Sequence, residues 1–288
     1  MRILNIEDNK EKVVKKGGFK TRSIARDYSY PILAWTPKGD ELAVIFEKRA
    51  KKQLFVFDAH GKKQNNREIA RFQKVLDASY ANDGKTLVMS AMSRGYSDIY
   101  TYFIPNARLR QITNDFYDDL SPNYVKLDNR EGILFASNRD SDTLKTMALD
   151  SLLPVGTLDL YFYDTKKKSK VLLQVTHTGD ALETSPVQLD SAHFGFLSDM
   201  NGIQNRFAGY IDTTYSHTDT LIYFADSTIK NPEYDLQPFI DAGMVDSSKL
   251  VDVYKDPAII FPVTNYASNI IEHDAVPKLG KSVEMFLQ

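Results

Sequence analysis

Residues 81–113, ANDGKTLVMSAMSRGYSDIYTYFIPNARLRQIT, decide the fold of this 288-residue chain. The stretch contains three short runs, KTLVMSA, DIYTYFI and LRQIT, that are rich in β-branched and aromatic residues and are separated by polar turns. Such runs, bounded by Gly, Asn, Asp and Pro, predict β-strands. The sequence therefore predicts a small antiparallel sheet over these residues.

The same pattern recurs on both sides of this stretch. Arg49, Arg94 and Arg139 each follow a predicted second strand at intervals of 45 residues, whereas the interval from Ser137 to Ser198 is 61 residues, which is 16 more. Repeats of about 40–45 residues with four strands each are typical of β-propellers, in which small sheets bury their faces by stacking around a channel. We therefore predict an all-β fold, a β-propeller of about five or six four-stranded antiparallel blades.

We expect residues 1–288 to form a single β-propeller domain. Residues 1–18 form a half-blade with the third and fourth strands only, and the C-terminal strands in 257–288 could pair with them and close the ring. An insertion at 141–157 accounts for the extra residues of the longer interval, and 227–256 is irregular. The predicted blade-like units are 31–72, 77–113, 121–176 and 185–226.

The composition excludes several classes of protein. The net charge is −2, without the basic excess of a dedicated nucleic-acid surface, so we expect no nucleic-acid partner. No stretch approaches the ~20 apolar residues that span a bilayer, so we expect no membrane insertion. The chain has no cysteine, which excludes disulfides and cysteine-based metal sites.

The repeats resemble the blades of TolB-type propellers over about residues 31–226. Such blades carry an Asp-Gly-Lys turn, a Ser-x-Arg turn, an Asp-Ile-Tyr strand and a closing Arg-Gln-Leu-Thr strand. The resemblance is specific for fold, because the matching positions are turns and core strands. The matches are Asp83-Gly84-Lys85, Ser93 with Arg94, Asp98-Ile99-Tyr100 and Arg110-Gln111-Ile112-Thr113, with looser copies that begin at Ser121-Pro122 and Ser185-Pro186.

The resemblance implies a non-enzymatic binding or scaffold module of the bacterial cell envelope, periplasmic or associated with the outer membrane. Such a module would contact protein or glycan at one face of the ring, and we expect it to be one part of a longer chain. The alternative is an accessory propeller of a prolyl-oligopeptidase-like peptidase or another larger enzyme. A carbohydrate-active propeller would need carboxylates that converge at the channel, for which the candidates are Asp98, Asp118, Asp119 and Asp140.

The residues predict no catalytic constellation and no cofactor. No Gly-x-Ser-x-Gly nucleophile elbow occurs. Zinc needs three or four convergent ligands, so the histidines are interpreted as turn or surface residues. Asp140, Asp142, Asp199 and Asn201 are spaced like oxygen ligands of a hard cation, but the same residue types favour tight turns, which is the interpretation we prefer. The histidines are His60, His177, His193, His217 and His273.

The insertion 141–157 is the segment to which we assign a binding role. It is apolar, which is unusual for an exposed loop, so it either covers a channel mouth or a neighbouring blade or contacts a partner. Trp35, the single tryptophan, is predicted to be a core aromatic between blades rather than a ligand-stacking residue. The candidate binding residues of the insertion are Leu144, Met147, Leu149, Leu152 and Leu153.

Overall fold

A computed structural model of the chain describes residues 1–5, 8–14, 31–48, 51–144, 154–233 and 235–286. Strands dominate these ranges, and the only α-helix within them is α1 (Gln237–Asp241). Two 3-10 turns, Ile104–Asn106 and Pro277–Leu279, complete the helical structure of the described residues. None of the helices there has the length and the apolar character that crossing a bilayer requires.

Four sheets of four strands form the body of the described chain, and we call them blades 1 to 4. Blade 1 contains β3 (Ile32–Trp35), β4 (Glu41–Lys48), β5 (Lys51–Asp58) and β6 (Lys63–Glu68), and blade 2 contains β7 (Lys74–Tyr80), β8 (Thr86–Ser93), β9 (Tyr96–Phe103) and β10 (Arg108–Gln111). Blade 3 contains β11 (Asp119–Leu127), β12 (Arg130–Ser137), β13 (Asp159–Asp164) and β14 (Leu173–Gln174), and blade 4 contains β15 (Glu183–Gln188), β16 (His193–Ser198), β17 (Asn205–Ile211) and β21 (Ala258–Pro262). The remaining strands are β1 (Arg2–Asn5), β2 (Lys10–Val13), β18 (Thr214–Phe224), β19 (Thr228–Lys230), β20 (Val245–Lys255), β22 (Ile270–Val276) and β23 (Lys281–Phe286).

The blades stack face to face, and their first strands are neighbours in the order β3, β7, β11, β15 and β22. Apolar side chains from both partners fill the interfaces between blades 1 and 2 and between blades 2 and 3. Leu54 of blade 1 shares a core with Tyr100 of blade 2, and Ile99 of blade 2 shares another with Phe135 of blade 3. Four-stranded sheets that stack face to face and share apolar cores confirm the predicted β-propeller fold.

Blade 4 differs from the predicted unit 185–226. Its fourth strand is β21, which follows β17 only after residues 212–257, so the prediction was wrong in its last strand. In blades 2, 3 and 4, a threonine two residues after the fourth strand marks the correct strand. The hydroxyl oxygens of Thr113, Thr176 and Thr264 each accept a bond, at 2.8, 2.7 and 2.9 Å, from a backbone N–H of the third strand of their own blade.

The chain divides into two compact units, which differs from the single domain that we predicted. Unit 1 comprises Met1–Tyr210 and Ile260–Gln288, and unit 2 comprises Ile211–Ile259. Within unit 2, the long strands β18 and β20 pair antiparallel, and β19 pairs with the other edge of β18. The segment predicted to be irregular therefore contains β19, α1 and β20. Its strands were missed because β20 is polar and exposed along most of its length.

The predicted pairing of the two chain ends is not seen in the described residues. There, β1 pairs with β2, and β22 pairs with β23, as separate two-stranded sheets. Ile3 and Val14 instead pack against an apolar cluster of blade 1 that includes Phe55 and Phe57. Residues 15–18 of the predicted half-blade lie outside the described residues, and the number of blades stays a prediction.

Candidate functional site

Three aspartates converge at the interface between blades 2 and 3. Asp98 lies in β9, Asp115 lies in the connection that follows β10, and Asp119 begins β11. Each offers a carboxylate oxygen within 4.8 Å of the other two. The residues are only 4%, 7% and 0% exposed. Within the ranges that the structure describes, no other group of three acidic or metal-ligating side chains is this close.

The guanidinium of Arg139 lies among these carboxylates. Its Nη2 donates to both oxygens of Asp119 at 2.7 and 2.9 Å, and its Nη1 lies 3.4 Å from Oδ2 of Asp115. Its Nε donates to Oγ of Ser137 at 3.0 Å. Both bonds to Asp119 come from one nitrogen, and charged hydrogen bonds of this kind are roughly twice as strong as those between neutral groups. Arg139 therefore supplies the cation that such an acidic cluster requires.

Aromatic rings surround the guanidinium and keep water away from it. Its central carbon lies 5.1, 5.7 and 5.5 Å from the ring centres of Tyr117, Phe135 and Tyr161. These distances suit cation–π attraction, which is strongest where the cation is desolvated. The hydroxyl of Tyr161 also donates to the backbone oxygen of Arg139 at 2.9 Å. The site is a dry, charged contact between two blades.

Asp98 takes its hydrogen bonds from neutral groups. Nε2 of Gln111 donates to its carboxylate at 3.0 Å, and the hydroxyl of Thr113 donates to it at 3.4 Å. Burial, together with the negative charges of Asp119 and Asp115, raises the pKa of Asp98 to about 7. At neutral pH the Asp98 carboxyl is therefore protonated for a substantial part of the time.

The pKa values of the other charged groups also shift upward. Burial raises the pKa of Asp115 to about 6, with a contribution from Asp119 that Arg139 opposes. Burial raises the pKa of Asp119 as well, against the lowering effect of Arg139. Burial lowers the pKa of Arg139, but Asp119 and Asp115 outweigh that effect and the net shift is upward. Arg139 thus remains charged, and the carboxyls share the protons.

The cluster has the chemistry of a contact that holds blades together, because its charged groups are enclosed. Asp98 and Asp119 do converge, as a carbohydrate-active propeller would require, but at a buried interface that a sugar cannot reach. The other two candidates for that role are bound to neighbours. Asp118 accepts a bond from the hydroxyl of Ser97 at 2.7 Å, and Asp140 accepts one from the hydroxyl of Tyr117.

Of the predicted binding residues in the insertion, only Leu144 falls within the described residues. It is partly buried against the core that contains Tyr161 and Leu172 of blade 3, and its N–H donates to the oxygen of Lys170 at 2.6 Å. The start of the insertion therefore covers its own blade. Met147, Leu149, Leu152 and Leu153 lie outside the described residues, and their binding role stays a prediction.

The four residues considered as cation ligands are not among the acidic cluster that the structure brings together. The side chain of Asp142 accepts a bond from Thr143 at 3.1 Å, and that of Asp199 accepts one from the N–H of Leu182 at 2.7 Å. The backbone oxygen of Asp199 accepts the N–H of Gly202 at 2.6 Å, which closes a turn around Asn201. These contacts are those of turn residues.

Two further predictions were wrong. Trp35 is 42% exposed, because Ile32 and Ala34 are the residues of β3 that face the core and Trp35 points to the opposite side. His273 is buried rather than at the surface. Its Nδ1 lies 3.1 Å from Nε of Arg206, which donates to it, and its Nε2 donates to the oxygen of Ser185.

Unit 2 contains a cavity of about 420 Å³. Apolar side chains contribute much of its lining, and Asp226 and Asp246 also line it. Sequence reasoning missed this cavity because it placed 227–256 outside regular structure. Its apolar lining residues include Phe224, Ile229, Phe239 and Met244.

No protein-family model and no curated protein matches the sequence. Among solved structures, the chain is similar to TolB from Acinetobacter baumannii, with 17% identity and a TM-score of 0.50 over 73% of this chain and 45% of that chain. It is also similar to a putative TolB from Agrobacterium tumefaciens, with 15% identity, a TM-score of 0.47 and coverage of 91% and 98%. A puromycin-hydrolyzing peptidase from Mycobacterium tuberculosis shows 14% identity, a TM-score of 0.44 and coverage of 62% and 27%. The chain has a TolB-like propeller fold and matches less than half the length of the Acinetobacter protein.

Proposed function

We propose that this chain, a propeller of TolB-like fold, is a non-enzymatic binding or scaffold module of the bacterial cell envelope that engages a protein through unit 2. The observation that carries the proposal is the apolar surface of this inserted unit. Large apolar side chains that remain exposed in a small unit are typical of an interaction site. The exposed residues are Tyr215, Ile240, Met244, Leu250 and Tyr254, which are 58%, 51%, 55%, 70% and 57% accessible.

The cavity of unit 2 favours a protein partner over a glycan. Phe224 and Phe239 meet at its wall with their ring centres 6.2 Å apart and nearly perpendicular. Aromatic and methionine side chains accept apolar side chains, and Asp226 and Asp246 would attract a positive charge beside them. The partner segment that fits this chemistry is apolar and carries a lysine or arginine next to its apolar residues.

The placement in the envelope rests on the resemblance of the repeats to TolB-type blades. The non-enzymatic role is supported by the burial of the converging carboxylates Asp98 and Asp119, which no substrate reaches. The alternative role is an accessory propeller of a prolyl-oligopeptidase-like peptidase or another larger enzyme. One observation distinguishes it from the proposed role. It requires the reading frame to encode an α/β domain with a Gly-x-Ser-x-Gly elbow.

The ends of unit 2 allow a clean deletion. The N–H of Asp212 donates to the oxygen of Pro257 at 2.9 Å, so a two-residue Asn-Gly turn can replace residues 213–256. We expect wild-type protein to recover a defined partner from envelope extract and the deletion variant to lose it. The β-sheet signal in circular dichroism, divided by the number of strand residues, and the melting profile should both be unchanged. That result would show that unit 1 remains folded in the deletion variant.

A point variant separates the cavity from the rest of unit 2. Met244→Asp places a charge in the apolar wall and should abolish recovery of the partner, whereas Lys249→Ser on the exposed strand β20 should preserve it. Recovery that is the same for wild type, the deletion and Met244→Asp would contradict the proposal. Recovery that depends instead on residues 141–157 would return the binding role to that insertion.

A further inference from the structure

The blades repeat the acidic cluster in altered forms, and the strand register shows which residues are equivalent. Asp119 at the start of β11 pairs with Ser137, and Glu183 at the start of β15 pairs with Ser198. The third strand on the facing side of each of these two interfaces also carries an acid, one residue before the N–H that the closing threonine accepts. It is Asp98 between blades 2 and 3 and Asp159 between blades 3 and 4.

The next interface provides a neutral version of the same arrangement. The N–H of Glu183 donates to the oxygen of Leu158 at 3.0 Å, and the N–H of Ile270 donates to the oxygen of Gln204 at 2.9 Å. Ile270 at the start of β22 thus holds the position of Glu183. The facing third strand carries Asn205 there, so this interface lacks both carboxylates and requires no cation.

Met200 follows Asp199 as Arg139 follows Asn138, although Met200 is 41% exposed and Arg139 is 4% exposed. Oδ1 of Asn138 accepts the N–H of Asp118 at 2.8 Å, and Oδ1 of Asp199 accepts the N–H of Leu182 at 2.7 Å. The residue that follows is Arg139 in the first case and Met200 in the second. The interface between blades 3 and 4 therefore keeps both acids and lacks the internal guanidinium.

The carboxylate of Glu183 has neutral neighbours, the hydroxyls of Thr176 and Thr178, but no cation among the described residues. Glu183 is 0% exposed, and neither of its oxygens has a hydrogen-bond partner, nor does Oγ1 of Thr178 beside it. Burial raises the pKa of Glu183 to about 7, the hydroxyl of Thr176 opposes this shift and the charge of Asp159 adds to it. A buried carboxylate with no cation is costly, so either a proton or a cation from solution should neutralise it.

We propose that Glu183, Asp159 and the Thr178 hydroxyl bind a hard divalent cation between blades 3 and 4, in place of the guanidinium that Arg139 supplies one interface earlier. The donors are all oxygens and include two carboxylates, which is the set that Ca²⁺ prefers and holds in irregular geometry. Imidazole does not already fill this role. His177 is 84% exposed at its side chain, and its Nδ1 lies 3.8 Å from Oδ2 of Asp159.

The path to the site is short. Thr178 lies in the connection between β14 and β15, whose residues His177, Gly179 and Asp180 are exposed. We propose that the ion enters through this exposed connection, without separation of the blades. An ion can thus reach Glu183 in the folded protein.

The test compares the wild type with Glu183→Gln and Met200→Arg in chelator-treated protein, with CaCl₂ as the probe and NaCl at matched ionic strength as the control. We expect saturating Ca²⁺ to raise the melting temperature of the wild type by roughly 5 °C. Glu183→Gln should show no such rise. Met200→Arg places a guanidinium in the chain next to this interface. Without Ca²⁺, its melting temperature should be higher than that of the wild type, and Ca²⁺ should not raise it further.

Direct binding keeps the proposal testable if Met200→Arg fails to fold. Isothermal titration with Ca²⁺ should show about one site in the wild type and none in Glu183→Gln. The proposal is overturned if the wild type binds no Ca²⁺, if Glu183→Gln binds it equally well, or if NaCl alone gives the same rise in melting temperature.

Discussion

Replacement of Arg139 by methionine is the sharpest test of the cluster between blades 2 and 3, because it copies the residue that blade 4 carries at the equivalent position. The variant removes two bonds to Asp119 at 2.7 and 2.9 Å and the contact with Asp115 at 3.4 Å. It leaves three buried carboxyls without their cation. Breaking a buried ion pair on one side costs about 3–5 kcal/mol of unfolding free energy. We expect a loss of this size at about pH 8, where carboxyls are charged.

The loss should shrink in acid. The pKa of Asp98 is about 7 in the folded protein against an ordinary value of 3.8. A raised carboxyl pKa means that the folded state binds more protons than the unfolded state, so this group destabilises the fold as the pH rises from about 4 to about 7. The full difference corresponds to about 4 kcal/mol as an upper bound. Without Arg139 the repulsion among the carboxylates grows, so the variant should depend on pH more steeply than the wild type.

Guanidinium chloride unfolding at about pH 5 and about pH 8 measures both effects. Arg108→Met, at an exposed position of β10, is the matched control and should change stability by less than about 0.5 kcal/mol. A loss below about 1 kcal/mol at the higher pH would refute the role of Arg139 as the cation of this cluster. A loss of unfolding free energy that is larger at about pH 5 than at about pH 8 would refute the conclusion that the folded carboxyls bind more protons than the unfolded ones.

Three other predictions concern single residues. Gly132→Ala should disrupt blade 3, because a Cβ there would lie 2.1 Å from a backbone oxygen of β13, whereas Gly156→Ala, with 3.6 Å of space, should be close to neutral in thermal melts. Thr113→Val removes the acceptor of a buried backbone N–H of β9 and should cost about 1–3 kcal/mol in denaturant unfolding. Burial lowers the pKa of His273 to about 4, below the ordinary 6.5. Its contribution to stability is therefore complete above about pH 6.5 and is lost as the pH falls toward 4, and ring NMR signals should show no titration of His273 near neutrality.

The architecture was predictable because propeller blades repeat a local signal. Short strands separated by polar turns recur, with Arg49, Arg94 and Arg139 at intervals of 45 residues, and stacking follows from the need to bury both faces of each sheet. The error in blade 4 arose because its fourth strand is not the next strand along the chain. TLIYFAD has the residue types of a closing strand, but the pairing of β21 with β17 and the bond that Thr264 accepts from Arg206 show that a later segment takes that place.

The candidate site was only partly predictable. Asp98 and Asp119 were singled out as carboxylates, and Arg139 was used to count the repeat, but their convergence depends on how two blades face each other. Asp115 carries no motif, because it lies in a connection rather than in a strand. An alignment of the blades would have placed Asp119 over Glu183 and Arg139 over Met200, which is the comparison that identifies the cluster as a recurring position.

The insertion of unit 2 between β17 and β21 has a consequence for the order of folding. The third and fourth strands of blade 3 are joined by residues 165–172, and those of blade 4 by residues 212–257, which makes closure of blade 4 about 1.5 kcal/mol more costly in chain entropy. The bond between Asp212 and Pro257 brings the two ends of unit 2 together once that unit has formed. Unit 2 should therefore fold first and bring β21 close to β17, with which it then pairs. Blade 4 would then be the last blade to close and the first to exchange its amide hydrogens with solvent.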